Sequence, residues 1–241
     1  MMKIMIITTR DTIMDNPISN AGLYRLMAWL SPSYPVGAFA YSHGIEWAVE
    51  DNRVTDEQTL ASWVESIVRH GAGWSDAVLF QAVYGCGDDI DKLVEINAFA
   101  LALAPSSERH LETSAQGTAF RKATTDAWPW MGMDEAVDAL GAEIAYPVAV
   151  AAAARGHQIP LDAALNAYRH GFAANLVSAG VRLIPLGQSA GQRVLAGLEN
   201  AITETAVSSE HASLDDVGGI AVMSDIAAMQ HETQYTRLFR S

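Results

Sequence analysis

Cysteine is nearly missing from this chain, with Cys86 alone among 241 residues. A single thiol excludes an internal disulfide and an intrachain thiolate metal cluster, and it is typical of a reducing compartment. Lysine is almost as scarce: Lys3, Lys92 and Lys122 are the three, and none of them follows a glycine. The G-x-x-x-x-G-K-[ST] phosphate loop is therefore excluded, so any nucleotide chemistry requires another protein.

Positive charge is also in short supply. The sequence has 15 basic against 28 acidic residues, which gives a formal net charge of −13. Proteins that bind the phosphate backbone of nucleic acids need clustered lysine and arginine, so we expect no nucleic-acid partner. An acidic surface favours solubility, and it is compatible with a basic protein partner or with multivalent cations.

Long apolar runs are absent as well. No stretch of the ~20 residues that a membrane-spanning helix needs is free of both charged residues and prolines. The apolar start of the chain is cut by Arg10 and Asp11, and no small-residue cleavage site follows it. We therefore expect a cytoplasmic protein without a membrane partner.

What the sequence does contain is helix-forming residues. Half of the residues are hydrophobic and only 8% are aromatic, and alanine is abundant, as in residues 149–154. Alanine is the strongest helix former, and apolar residues recur here at helical spacing between proline and glycine breaks. No repeat period and no domain boundary stand out. We predict an all-α fold, a single helical domain of about nine or ten helices over residues 21–241, after a poorly ordered N-terminal extension at residues 1–20.

Two segments carry sharper expectations. Residues 38–51 are predicted to form one helix after a proline-rich linker. Residues 107–124 are predicted to form a helix with few large apolar residues, and such a helix is either exposed or occupied by a partner. Arg109 and Glu112 lie three residues apart on it, and on an exposed face such a pair contributes little to stability.

The strongest enzyme-like pattern is a G-x-S-x-G motif, formed by Gly187, Gln188, Ser189, Ala190 and Gly191. Asp225 and His231 follow in the order of a serine hydrolase, with Ser189 as nucleophile and His231 as general base. The motif needs a strand that enters a sharp turn, however, and Pro185 interrupts the one strand-like segment before it. A serine hydrolase is therefore the alternative interpretation.

Metal ligation is the other chemistry that histidines suggest. None of the seven histidines forms H-E-x-x-H, and no two of them lie three or four residues apart. His43 and Glu46 are three residues apart, and His231 adjoins Glu232, so either pair would meet a divalent ion if the chain dimerised. We expect no stable metal site within one chain.

The last eleven residues, HETQYTRLFRS, are unusual for a chain end. Chain ends tend to be poorly ordered and polar, whereas this one combines Tyr235, Leu238 and Phe239 with Arg237 and Arg240. Tyrosine and arginine dominate contact patches between proteins. The segment therefore either docks Leu238 and Phe239 on the chain's own core or binds a partner.

Four segments together resemble the urease accessory protein UreF family. They are residues 30–46 (LSPSYPVGAFAYSHGIE), 108–117 (ERHLETSAQG), 175–188 (NLVSAGVRLIPLGQ) and 225–241 (DIAAMQHETQYTRLFRS). The resemblance runs in order from about residue 23 to residue 241. It implies an all-α homodimer without catalysis of its own, which joins the accessory protein UreD (also called UreH) to the GTPase UreG. That assembly delivers nickel to apo-urease, and the family member modulates or couples GTP hydrolysis by UreG. Nickel is then handled transiently, with no cofactor bound stably.

On this resemblance we predict partner-facing residues in the first motif and in the tail: Tyr41, Ser42, His43, Glu46, His231, Glu232, Tyr235, Arg237, Leu238, Phe239 and Arg240. The two tail arginines are predicted to make charge-assisted contacts with acidic groups. Tyr235 and Phe239 are predicted anchors that lose water on docking. The alternative is internal, with Tyr41 and Glu46 bonding only the backbone of the proline-rich linker.

Overall fold

Several helices of this chain begin at side chains that cap them. Ser19, Asp56, Asp89 and Ser106 each accept a hydrogen bond from the backbone N–H group three residues further along. Such caps satisfy N–H groups that have no partner inside the helix. The local sequence therefore fixes where these helices start.

The computed structural model describes residues 17–241, and this part of the chain is all-α, as predicted. Its twelve α-helices are α1 (Asn20–Trp29), α2 (Ile45–Glu50), α3 (Glu57–His70), α4 (Ala72–Gly85), α5 (Ile90–Ala102), α6 (Ser107–Ala127), α7 (Met133–Leu140), α8 (Tyr146–Gly156), α9 (Leu161–Leu183), α10 (Gln188–Gly197), α11 (Glu199–Ser209) and α12 (Val222–His231). Short helices such as α7 raise the number above nine or ten. Of the predicted extension, residues 1–16 lie outside the described residues, while Ser19 caps α1 and Asn20 opens it.

The 23-residue α9 is the central helix of the fold. It packs against α2, α3, α4, α8, α10 and α11. Its first half joins a core that contains Trp29, Phe80 and Phe120, and its second half joins a core that contains Ile45 and Leu60. Burial of these large side chains supplies the main driving force for the arrangement.

The polar helix α6 is not an exposed element. It packs closely on α8. The absence of a side chain at Gly117 allows this approach, since a Cβ there would lie 2.0 Å from the carbonyl oxygen of Ile144, just before α8. Two of its carboxylates, Glu108 and Glu112, are buried. An exposed face for this helix was therefore a wrong expectation, and the packing leaves Glu108 and Glu112 beside the C-terminal segment.

Candidate functional site

The chain reverses sharply just before α2. His43 and Gly44 both have a left-handed backbone, with φ angles of 60° and 79°. This conformation is common for glycine but uncommon for a residue such as His43. At Gly44 a Cβ would lie 2.6 Å from the backbone nitrogen of Ala228, so this turn packs directly on α12. The single helix predicted for residues 38–51 is therefore wrong. The segment forms a 3-10 turn at Ala38–Ala40 and then α2.

Glu46, in the first turn of α2, anchors the C-terminal tail, which we define as residues 232–241. Its two carboxylate oxygens accept hydrogen bonds from the backbone N–H groups of Leu238 and Phe239, at 2.7 and 2.9 Å. Bonds from N–H groups to a carboxylate are charge-assisted and stronger than bonds to a neutral acceptor. Glu46 thus bonds the backbone of the tail rather than that of the proline-rich linker.

The end of the tail pairs with the first motif along the backbone. The Arg240 N–H group donates to the carbonyl oxygen of Ala40 at 2.8 Å, and the Ser42 N–H group donates to the main-chain oxygen of Ser241 at 2.7 Å. The Ser42 hydroxyl donates to the same oxygen. Tail and first motif therefore form one folded unit.

His231 lies at the centre of this unit and is completely buried. Its Nδ1 atom is 2.6 Å from a Glu108 oxygen and its Nε2 atom is 3.1 Å from a Glu46 oxygen. A ring that carries a proton on both nitrogens donates to both carboxylates. Arg237 donates to the other oxygen of Glu108 at 2.6 Å. We call Glu46, Glu108, His231 and Arg237 the anchoring cluster.

Glu232 ties the start of the tail to the start of α6. One of its oxygens accepts from the Ser107 N–H group at 2.8 Å and from the Ser107 hydroxyl at 2.7 Å. These bonds lower the pKa of Glu232, with the Ser107 hydroxyl as the largest cause. A carboxylate at a helix N-terminus also meets the positive end of the helix dipole. Glu232 therefore holds α6 and α12 together.

Glu112 holds the last residue of the chain in place. Its Oε2 atom accepts from the Ser241 hydroxyl at 2.9 Å and from Arg109 at 2.6 Å. Arg109 also contacts the ring of His43, whose Nδ1 lies 3.4 Å from the other Glu112 oxygen. The side chains of Arg109 and Glu112 are only 12% and 11% exposed. This pair is thus part of a buried network and not the weak surface pair that its spacing suggested.

An arginine lies between two aromatic rings beside the tail. The Arg182 guanidinium carbon is 3.6 Å from the ring centre of Phe39 and 4.2 Å from that of Phe239. Burial lowers the pKa of Arg182. Phe239 is buried and Phe39 is exposed. Cation–π contact of this kind stabilises the docked position of Phe239.

The predicted partner-facing residues thus separate into two groups. Tyr41, Ser42, His43, Glu46, His231 and Phe239 are buried within the chain, and Glu232 is half-buried. Tyr235 is fully exposed, Leu238 is 77% exposed, and Arg237 and Arg240 are exposed. Of the two tail side chains expected on the core, Phe239 docks there and Leu238 points to solvent. We call Tyr235, Leu238 and Arg240 the outer face of the tail.

Sequence reasoning missed the residues that receive the tail. Glu108 and Glu112 are four residues apart, which places both carboxylates on one face of α6. That spacing, in a helix with few large apolar residues, was the available signal. Arg182 lies in one of the segments that carry the family resemblance, residues 175–188, but nothing in that segment indicated a contact with the tail. Its role arises only when the tail returns to α9.

The residues of the serine hydrolase motif do not form a catalytic site in this fold. Gly187 is the N-cap of α10 and Ser189 lies exposed in its first turn, with no strand before it in residues 17–241. Both ring nitrogens of His231 are occupied by carboxylates. His231 therefore has no nitrogen free to activate Ser189.

Two further properties concern the described part of the chain. No group of three or more histidine, cysteine, aspartate or glutamate side chains is placed to hold a metal ion within residues 17–241. None of the helices in that range combines the length and apolar character that crossing a membrane requires.

The fold and the site define an all-α protein organised around a docked C-terminal segment. The UreF family model matches residues 54–199. The urease accessory protein UreF of Rhodopseudomonas palustris (strain HaA2) is 49% identical over 224 residues, which cover 92% of this chain and 94% of the relative. That of Bradyrhizobium sp. (strain BTAi1) is 49% identical over 232 residues and 95% of each chain. The chain belongs to the UreF family of urease accessory proteins.

Proposed function

We propose that this chain is a urease maturation factor that acts as a scaffold without catalysis of its own. It joins UreD (UreH) to the GTPase UreG in the cytoplasm, and the assembly delivers nickel to apo-urease. Family membership supports the role in urease maturation. The observation that carries the scaffold role is the docked tail, because it presents Tyr235 and Leu238 to solvent on a folded support.

The outer face of the tail is the proposed contact with UreD or UreG. A segment that is already ordered loses less conformational entropy on binding than a free chain end. Tyr235 and Leu238 offer apolar area, and Arg240 offers a charge for an acidic group on the partner. The buried members of the predicted set, such as Glu46 and His231, act by positioning this face.

Nucleotide and metal come from the partners in this proposal. The sequence has no phosphate loop, so UreG supplies GTP and the chain modulates or couples its hydrolysis. The carboxylates of the anchoring cluster already bond to histidine, arginine and backbone N–H groups. Nickel is therefore cargo that passes through the assembly, without a stably bound cofactor here.

A homodimer is the proposed form of the scaffold, and the exposed Leu23, Tyr24 and Met27 of α1 fit an interface.

The variant Tyr235→Ala/Leu238→Ala tests the proposed contact surface. Both side chains are exposed, so we expect the fold to persist while affinity for purified UreD, or recruitment of UreG to that complex, falls at least about 10-fold. Titration calorimetry measures the first and size-exclusion chromatography the second. Met131→Ala is a matched control, because Met131 is equally exposed but lies outside the tail. Unchanged binding of both partners by the double variant would refute the proposed contact.

A further inference from the structure

A partly open cavity of about 140 Å³ lies beside the groups that hold the tail. Arg109 and Glu112 line one part of it, and Asp76 lines another. Gln116 also lines it and is only 6% exposed. The cavity therefore joins Asp76 to Arg109 and Glu112, the pair that holds the end of the tail.

Asp76 is the unusual group on this cavity. It lies in the second turn of α4, which starts at Ala72, and its Oδ2 atom accepts a hydrogen bond from the Tyr168 hydroxyl at 2.6 Å. Burial raises the pKa of Asp76 to about 7, and the charge of Glu112 adds to the rise, while Tyr168 and Arg169 oppose it. Near neutral pH this carboxyl group therefore changes charge.

The charged and titratable groups that face Asp76 come from four other helices. They are Arg109 and Glu112 on α6, Tyr146 on α8, Tyr168 and Arg169 on α9, and Asp225 on α12. Tyr41, in the segment before α2, lines the cavity as well. Arg169 is committed elsewhere, because its guanidinium donates to the carbonyl oxygens of Val68 and Ile202.

Within residues 17–241, Arg109 is thus the one cation that lines the cavity. Burial raises the pKa of Asp225, and the positive charge of Arg109 opposes that rise. Arg109 also pairs with Glu112. When Asp76 is ionised, it adds a third carboxylate to those of Glu112 and Asp225 at a cavity lined by the guanidinium of Arg109. Of these carboxylates, Glu112 is the one that bonds Ser241.

We propose that this cavity couples the proton on Asp76 to the docking of the tail, so that loss of the proton favours release of residues 238–241. The docked tail bonds Glu112 through the Ser241 hydroxyl at the cavity that Asp76 also lines, and the charge of Glu112 adds to the rise in the pKa of Asp76. Release of the tail opens Glu112 to water, which weakens that effect. The docked form therefore binds the Asp76 proton more tightly than the released form. By linkage, docking weakens as the pH rises through neutrality.

Hydrogen exchange of the tail amides tests the coupling. The N–H groups of Leu238, Phe239 and Arg240 are bonded only while the tail is docked, and their protection is corrected for the intrinsic exchange rate at each pH. With the docked value at about 7, a coupling of one pKa unit predicts that protection falls about 5-fold between pH 6 and pH 8, out of about 10-fold over the whole titration. Asp76→Asn is expected to remove this fall, and Asp138→Asn, which makes the same charge change on an exposed face, is expected to retain it.

Protection that is independent of pH in the unsubstituted chain would overturn the proposal, and so would an equal fall in Asp76→Asn. A reciprocal measurement needs no change at Asp76. Carbon NMR of its carboxyl group should show a titration midpoint about one pH unit lower in Phe239→Ala, which loosens the tail. An unchanged midpoint in that variant would also overturn it. The proposal depends on docking within the chain, so it stands or falls independently of which protein the tail binds.

Discussion

At the scale of single residues, His231 shows how one buried imidazole holds two carboxylates. Its partners Glu46 and Glu108 lie 185 and 123 residues away in the sequence. In the sequence His231 is a lone histidine beside Glu232, and such residues are usually structural or solvated. Its identity as the centre of a network depends on the path of the whole chain, and no local pattern encodes that path.

His231→Ala removes the shared donor and leaves two buried carboxylates with fewer partners. Leaving a buried acceptor without its hydrogen-bond partner costs about 1–3 kcal/mol, and two carboxylates lose one here, so we expect the free energy of unfolding to fall by about 2 kcal/mol or more. Urea unfolding followed by circular dichroism measures it. His211→Ala, at an exposed histidine, is the control and should stay within about 0.5 kcal/mol of the unsubstituted chain. An equally small loss for His231→Ala would contradict the network.

Asp76 predicts how stability depends on pH. Its pKa in the folded chain is about 7, above the ordinary value of 3.8 for an aspartate, so the folded state binds more protons than the unfolded state between these values. The contribution of Asp76 to stability therefore falls as the pH rises from about 4 to about 7 and is constant above that. Asp76→Asn should be more stable than the unsubstituted chain at pH 8, by on the order of 2–4 kcal/mol. The urea unfolding midpoints of both chains are measured from pH 5 to pH 8. An equal change of the midpoint with pH in the two chains would contradict the predicted role of Asp76.

At the scale of elements, α6 shows what the sequence predicts and what it does not. The existence of α6 could be predicted from residue propensity and from the Ser106 cap. The environment of α6 could not be predicted, because a helix with few large apolar residues was expected to be exposed or bound to a partner. The structure pairs its carboxylates with the chain's own tail instead. Likewise the break before α2 depends on the contact of Gly44 with α12, which a local pattern does not contain.

The close approach of α6 to the start of α8 makes a prediction about Gly117. In Gly117→Ala the new Cβ would lie 2.0 Å from the carbonyl oxygen of Ile144, so backbone must move. We expect a loss of about 1–3 kcal/mol in the free energy of unfolding. Gly197→Ala, also in a helix but with open space around it, should instead gain about 0.4–1 kcal/mol. Thermal or urea unfolding of both variants gives the comparison, and equal effects would argue against the close packing.

At the scale of the whole molecule, composition and helical spacing were sufficient to predict the all-α class, and four sequence motifs were sufficient to identify the family. The tail was predicted to dock on the core or to bind a partner. Phe239 takes the first role, while Leu238 and Tyr235 remain available for the second. The positions of Glu46, Glu108 and Arg182 determine which tail side chain is buried and which is exposed. Those positions are known only from the three-dimensional structure.

The central claim is that the docked tail is the part of this molecule that recruits its partners. Deletion of residues 238–241 tests it most directly, with ternary-complex formation with UreD and UreG measured by size-exclusion chromatography with light scattering. We expect the truncated chain to keep most of its helical circular dichroism, because the removed residues lie outside the helices, and to form no ternary complex. A ternary complex that assembles with unchanged affinity would contradict the account.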